Sequence, residues 1–267
     1  MNTANGFKSG LTASIALLAL LGCSPEPEAQ AENDEPTIDE RFKHTVAEAK
    51  STPWPEGDAA EPDALDPLLT RTNYMVVLDM SGSMGSDRCA GSYESKSAAA
   101  KAALNAWVDS VDREANLGLI IFDGRGPSVR VNLGQDNRPD FRQHVNSSRP
   151  AGGTPLLTSV RLAHEQLTDR ARYQQGYGTY RLMVITDGEH SDGENPSDEI
   201  ERIAGNAANP IELHTIGFCI DDSALNQPGV TLYRSARNPE ELAQGLDSVL
   251  AESQDFANIQ EFTGNDL

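Results

Sequence analysis

The sequence predicts an α/β fold: a doubly wound, mostly parallel central sheet with helices on both faces and one antiparallel edge hairpin strand. Three observations carry this expectation. Tyr74–Asp79, Tyr180–Thr186 and Ile211–Phe218 are short and nearly continuous apolar runs, as strands buried on both faces are. Segments with helical spacing lie between such runs, so strand and helix alternate. Acidic residues, Asp79 and Asp187, stand at the ends of the first two of these runs, where open α/β sheets bind their ligands. With 267 residues and about 100–200 residues per domain, one medium domain with added segments is the simplest division.

The added segments come first. Residues 1–22 carry one Lys, Lys8, no acid, and then an apolar run from Leu11 to Leu21. That run is shorter than the roughly 20 residues a spanning helix needs and fits the apolar stretch of an export signal. Leu20-Leu21-Gly22-Cys23 resembles the bacterial lipobox. The resemblance implies that Cys23 is acylated and becomes the first residue of the mature chain. Two or more acyl chains, at about 0.8 kcal/mol per buried methylene, give stable anchoring. Ser24 after the Cys points, in a Gram-negative cell, to the outer membrane, facing the periplasm or the cell surface. Residues 23–70 are rich in Pro and acid and poor in apolar periodicity, which reads as a tether. A short helix over Asp39–Lys50 and docking of Trp54 on the domain are weaker features of the same segment.

The folded part is expected over residues 71–252, with 253–267 as a tail. Tyr74–Asp79 is the first strand and Lys96–Val111 a helix. Leu117–Phe122 and Ser128–Leu133 flank Asp123-Gly-Arg-Gly and are predicted to pair antiparallel. Asp140–Asn146 reads as irregular. Helices over Leu156–Leu167 and Ser197–Ala207 each feed a strand, Tyr180–Thr186 and Ile211–Phe218. A short strand over Val230–Tyr233 and a helix over Pro239–Leu250 close the pattern. Asn238 is the expected N-cap of that helix, with Pro239 at its first position and Glu241 three residues on.

The residues at the two strand ends are Asp79-Met80-Ser81-Gly82-Ser83 and Asp187-Gly188, and Gly152-Gly153-Thr154-Pro155 lies between them. Together they resemble the von Willebrand factor A (VWA) family, whose metal-ion-dependent adhesion site has Asp-x-Ser-x-Ser in the first loop, a Thr in a middle loop and an Asp after the fourth strand. The resemblance covers about Asn73 to Ala251. It implies a VWA, Rossmann-like fold and a metal site of Asp79, Ser81, Ser83, Thr154 and Asp187. Taken singly, the acids read equally well as helix caps and Thr154 as an ordinary turn residue; the three motifs in order carry the resemblance. Their oxygen donors suit Mg²⁺, Mn²⁺ or Ca²⁺ rather than Zn²⁺ or Cu²⁺. The family's chemistry implies an open coordination position that takes an Asp or Glu carboxylate from a protein or matrix ligand.

Other chemistry is disfavoured. A formal charge of -20, from 41 acidic and 21 basic residues, repels phosphate backbones, so nucleic acid is not an expected partner; the same acidity also serves plain solubility. Ser81-Gly-Ser-Met-Gly85 lacks the first Gly of a nucleophile elbow, no Walker loop or Cys/His zinc cluster occurs, and a metal hydrolase would need more ligands and a general base. The chain is expected not to be an enzyme. The acids of Glu189-His190-Ser191-Asp192-Gly193-Glu194 follow no EF-hand spacing and read as a solvated loop. With Cys23 acylated, Cys89 and Cys219 remain, both expected at the carboxyl edge of the sheet. They read either as a disulfide beside the metal face or as two unpaired thiols. The expected function is a membrane-tethered module that captures a ligand carboxylate through a divalent metal ion; the alternative is a scaffold of an envelope complex in which the metal mainly orders loops.

Overall fold

A computed structural model describes residues 53–220 and 224–262. Cys23, the export signal and the Asp39–Lys50 helix lie outside the described residues. Six strands and five helices follow in the order β1 (Thr72–Asp79), α1 (Lys96–Ser110), β2 (Asn116–Asp123), β3 (Gly126–Gly134), α2 (Arg138–Ser147), α3 (Leu156–Tyr173), β4 (Thr179–Thr186), α4 (Ser197–Gly205), β5 (Ile211–Phe218), β6 (Leu232–Ala236) and α5 (Pro239–Phe262). They form one sheet in the order β3-β2-β1-β4-β5-β6. Every neighbouring pair is parallel except β2 with β3, so the predicted doubly wound sheet with one antiparallel edge strand is what forms.

The pleat explains why the central strands read as unbroken apolar runs. Successive side chains of a strand point to opposite faces. On β1, Tyr74, Val76 and Leu78 enter a core with Leu104, Trp107 and Val108 of α1, Phe141 and Val145 of α2, and Leu242 and Leu246 of α5. Met75 and Val77 enter the other core, with Val160, Ala163 and Leu167 of α3 and Ile200 and Ile203 of α4. Both faces are covered, so no position on β1 past Thr72 is left to water. Trp107 meets Tyr74 edge-on, with ring centroids 5.6 Å apart. β3, on the edge, is half-exposed along most of its length.

The differences from expectation have local causes. Residues 138–147 form α2 rather than an irregular stretch: Pro139 sits in its first turn, and Phe141 and Val145, four apart, bury one stripe of an otherwise polar helix. β6 starts at Leu232 because Val230 and Thr231 both donate their backbone N–H to Gln227 O, closing a turn where a strand was expected. The last helix begins with the predicted box: Glu241 N donates to Asn238 Oδ1 and Asn238 Nδ2 to Glu241 Oε1, each at 2.8 Å, and it continues to Phe262.

Part of the segment expected as tether packs on the domain. The Trp54 ring stacks on His164 of α3 at 6.4 Å and meets Tyr180 edge-on at 5.7 Å. Arg172 Nε donates to Glu56 O, Ala60 N to Arg172 O and Asp66 N to Tyr173 O. Asp66 then enters the sheet's amino end, where its almost fully buried carboxylate pairs with Arg71 at 3.3 Å and with Arg170.

Two constraints tie the opposite end together. β1 lies between β2 and β4, the point at which the winding direction reverses, so the carboxyl ends of β1 and β4 open a crevice. Cys89, in the long loop between β1 and α1, is bonded to Cys219, the first residue after β5, across 130 residues of sequence. Both cysteines have left-handed backbones, with φ of 61° and 66°, an unfavourable conformation for side chains of this kind, and the bridge holds both in place.

Removing the buried Asp66 pairing or the disulfide should be measurable. Burial alone would raise the Asp66 carboxyl, but the Leu68 N–H and the guanidinium groups of Arg71 and Arg170 outweigh it and hold its pKa below the usual value. Its stabilising contribution is therefore present at neutral pH and lost as pH falls through the depressed value. Asp66→Asn should cost about 3 kcal/mol at pH 7 by urea unfolding, and its stability should fall less than that of the wild type between pH 5 and 3. Cys89→Ser should cost about 2–5 kcal/mol, the effect expected of losing a long-loop disulfide, and dithiothreitol should lower the wild-type midpoint without moving that of the variant.

Candidate metal centre

Asp79 is the last residue of β1 and is completely buried. Its Oδ1 accepts the backbone N–H of Ser81 and its Oδ2 the hydroxyl of Thr186, each at 2.6 Å. The chain then turns through a short 3-10 segment, Gly82–Gly85, which places Ser81 and Ser83 on the same side with their hydroxyls 2.9 Å apart. Ser83 donates on to Oδ1 of Asp187, 2.7 Å away. Asp187 follows Thr186 at the end of β4 and is itself buried.

Thr154 reaches the same place from the loop between α2 and α3. Ala151 N donates to Met80 O and Gly82 N to Gly152 O, at 2.9 and 3.0 Å, so this loop runs along the first one. Gly152 is needed there: its φ is +82°, and a Cβ would sit 3.2 Å from Asp123 O and from Gly124 Cα. Ser191 grips Thr154 from the other side. Its Oγ accepts Thr154 N at 2.8 Å and its N donates to Thr154 O at 3.0 Å. The Thr154 hydroxyl is directed over Gly188; a Cβ on Gly188 would lie 3.9 Å from it and 3.7 Å from Ser83 Oγ.

The structure thus gathers all five sequence-predicted residues, from three separate loops. The loop after Asp187 exposes Glu189 and Asp192 but is also tied to its neighbours. Glu194 accepts the N–H and hydroxyl of Thr158, at 2.8 and 2.7 Å, and so satisfies the amino end of α3. His190 Nδ1 lies 3.0 Å from Ser191 O, within its own loop. Two participants were not singled out in the sequence. Thr186 holds Asp79 from the strand below, and the only hint of it is a hydroxyl closing the apolar run Leu182-Met-Val-Ile-Thr186. Lys96, the first residue of α1, places its ammonium against Oδ2 of Asp187; a cation at a helix start reads as an ordinary surface residue, so nothing in the sequence marks it.

The electrostatics suit a cation. Burial, and next to it the charge of Asp187, push the Asp79 carboxyl up to about 6 despite the hydrogen bonds from Ser81 and Thr186. A carboxylate in that position is short of positive charge. Among the described residues no three His, Cys, Asp or Glu side chains come together as a metal cluster. The centre has only two carboxylates; the remaining donors are hydroxyls, and the resulting all-oxygen set fits a hard divalent ion that retains water ligands.

Residues 74–190 match the family model of the von Willebrand factor type A domain. No curated protein matches the chain in sequence. Among solved structures, a von Willebrand factor type A protein from Catenulispora acidiphila aligns at 21% identity over 69% of this chain and 43% of its own, with a TM-score of 0.55. The pilus adhesin SpaC from Lactobacillus rhamnosus GG aligns at 16% over 73% of this chain and 31% of its own, with a TM-score of 0.52. Proximal thread matrix protein 1 from the mussel byssus, with a zinc-occupied MIDAS motif, aligns at 16% over 67% and 47%, also with a TM-score of 0.52. The chain spans less than half the length of each, and at these identities the likeness concerns the fold. The match is to a type of domain that is not catalytic, consistent with the non-enzymatic reading of the sequence. Sheet order, site placement and family model converge: the chain carries a domain of the von Willebrand factor A fold.

Proposed function

We propose that this domain is a non-catalytic binding module that holds a divalent metal ion and presents it to a carboxylate of a protein or matrix ligand. The observation that carries the reading is the convergence of three hydroxyls, those of Ser81, Ser83 and Thr154, with two buried carboxylates, Asp79 and Asp187, at the switch point of the sheet. The ion, when bound, supplies a Lewis-acidic position for an external oxygen. The protein's part is to hold the donors. Thr186 and the Ser81 N–H orient Asp79, Ser191 fixes Thr154, and the disulfide secures the first loop. Beside the Gly152 loop a cavity of about 320 Å³ is lined by Asp123, Arg125 and Arg149 among others; Arg125 pairs with Asp123, and Arg149 offers positive charge to a ligand that carries more than one acid.

Mg²⁺, Mn²⁺ and Ca²⁺ fit the donors best. The zinc-occupied motif of the mussel protein is a reason to include Zn²⁺ among the ions tried. We further propose that the chain is held in the cell envelope by acyl groups on Cys23, at an outer membrane facing periplasm or cell surface; no helix among the described residues is long and apolar enough to cross a membrane. A scaffold role, with the metal mainly ordering loops, is the second reading. It is favoured by the gathering of residues from three separate loops at the donors, which an ion bound to all of them would tie together.

Two experiments test these readings. A ligand at one hundred times its Kd stabilises the folded state by about 2.7 kcal/mol, which for a domain of this size is a rise of roughly 5–10 °C. Chelated protein should show such a rise on adding millimolar amounts of one of the four ions, and the Asp79→Ala protein should not; a wild type that none of them moves would remove the metal from the account. Cys23→Ser should shift the protein from the membrane to the soluble fraction on lysis, and retention of the variant in the membrane would overturn the acyl anchor.

A further inference from the structure

Lys96 is not required by the fold in the way its neighbours are. Ser95 Oγ caps α1 by accepting Ala98 N at 3.2 Å, and Lys96 N donates to Ser86 O at 2.8 Å. These contacts fix the helix start through the backbone and the Ser95 side chain. The Lys96 side chain, only 7% exposed, runs inward to an Asp187 carboxylate that is 0% exposed. Burying an ammonium is unfavourable unless it is paired, and such pairs often add nothing to stability over apolar residues of the same size. The contact with Oδ2 is ionic, without an aligned hydrogen bond. The other oxygen, Oδ1, takes the Ser83 hydroxyl and faces the gathered donors.

The charges then decide the chemistry of the site. Asp79 and Asp187 alone would neutralise a divalent ion. With the Lys96 ammonium also buried against Asp187, the loaded centre retains one uncompensated positive charge in surroundings where it is poorly screened. Such a centre holds a metal weakly by itself and gains strongly from one further anion. We propose that Lys96 is a resident counter-cation that lowers the affinity of the bare site for its metal and couples metal binding to capture of a ligand carboxylate. The proposal rests on the metal reading above. It makes occupancy conditional: the ion stays only where an acidic ligand completes the charge balance, and by linkage the ligand is retained only where the ion is present.

The test is equilibrium binding of Mn²⁺ to the full chain, read from the paramagnetic resonance signal of free Mn²⁺, with and without 100 mM acetate as the carboxylate probe. Lys96→Met should bind Mn²⁺ at least tenfold more tightly than the wild type, within the 5–150-fold range of ordinary coupling, and Lys96→Gln should do the same if the Met protein does not fold. Lys96→Arg, which keeps the charge, should bind as the wild type does. Acetate should tighten Mn²⁺ binding in the wild type and much less in Lys96→Met. If Asp79→Ala abolishes binding while Lys96→Met matches the wild type or binds more weakly, the counter-cation is refuted and the metal site stands. If neither the wild type nor any Lys96 variant binds Mn²⁺, the metal reading fails and this proposal with it.

Discussion

Two carboxylates that both avoid water within one crevice are the constraint around which this domain is organised. Asp79 and Asp187 arrive at the carboxyl ends of adjacent parallel strands, and their mutual repulsion is added to the cost of burying each. A fold accepts such a pair only where other groups compensate. Three elements at this end of the sheet contribute to that compensation. The first loop supplies the Ser81 N–H and the Ser83 hydroxyl, β4 supplies the Thr186 hydroxyl and α1 the Lys96 ammonium. The middle loop, aligned on the first by two backbone hydrogen bonds, brings Thr154 without giving its hydroxyl to either carboxylate.

The rest of the architecture keeps these donors from relaxing apart. The strands beneath them are apolar on both faces, so the positions of Asp79 and Thr186 are set by two cores at once. Irregular loops above a sheet are ordinarily the most mobile part of such a domain. Here they are cross-linked. The disulfide joins the first loop to the end of β5, Ser191 clamps Thr154 through two backbone contacts, and Glu194 closes the amino end of α3. A site built from hydroxyls needs that rigidity more than one built from carboxylates, because each neutral ligand contributes less attraction and cannot offset the entropy of being gathered.

The strands, the order of elements and the five site residues were legible in the sequence because each rests on a local signal. A doubly buried strand must be continuously apolar, and Asp79, Thr154 and Asp187 sit in short motifs, the Thr154 motif containing Gly152, which its loop requires. The cap at Asn238 was legible for the same reason, its partners being three residues apart. What was missed depends on contacts between distant segments. Residues 138–147 have only Phe141 and Val145 to mark a helix, and their burial is decided by α1 and β3 rather than by their own composition. Lys96 and Thr186 gain their roles from Asp187 and Asp79, 91 and 107 positions away, and no spacing rule connects residues so far apart.

The placement of the docked N-terminal segment bears on how the site would be used. Trp54 packs at the middle of α3 and Asp66 at its carboxyl end, beside the amino ends of the strands, whereas Thr154 stands just before the amino end of the same helix. An 18-residue helix is about 27 Å long, so the buried Asp66 and the site lie at opposite ends of it. The Trp54 contact with His164 and Tyr180 makes this placement a property of the fold: the segment is bound along the helix before it enters β1 and cannot pivot at residue 71. Under the binding reading proposed above, this placement keeps the docked segment clear of the crevice that a ligand carboxylate would have to reach.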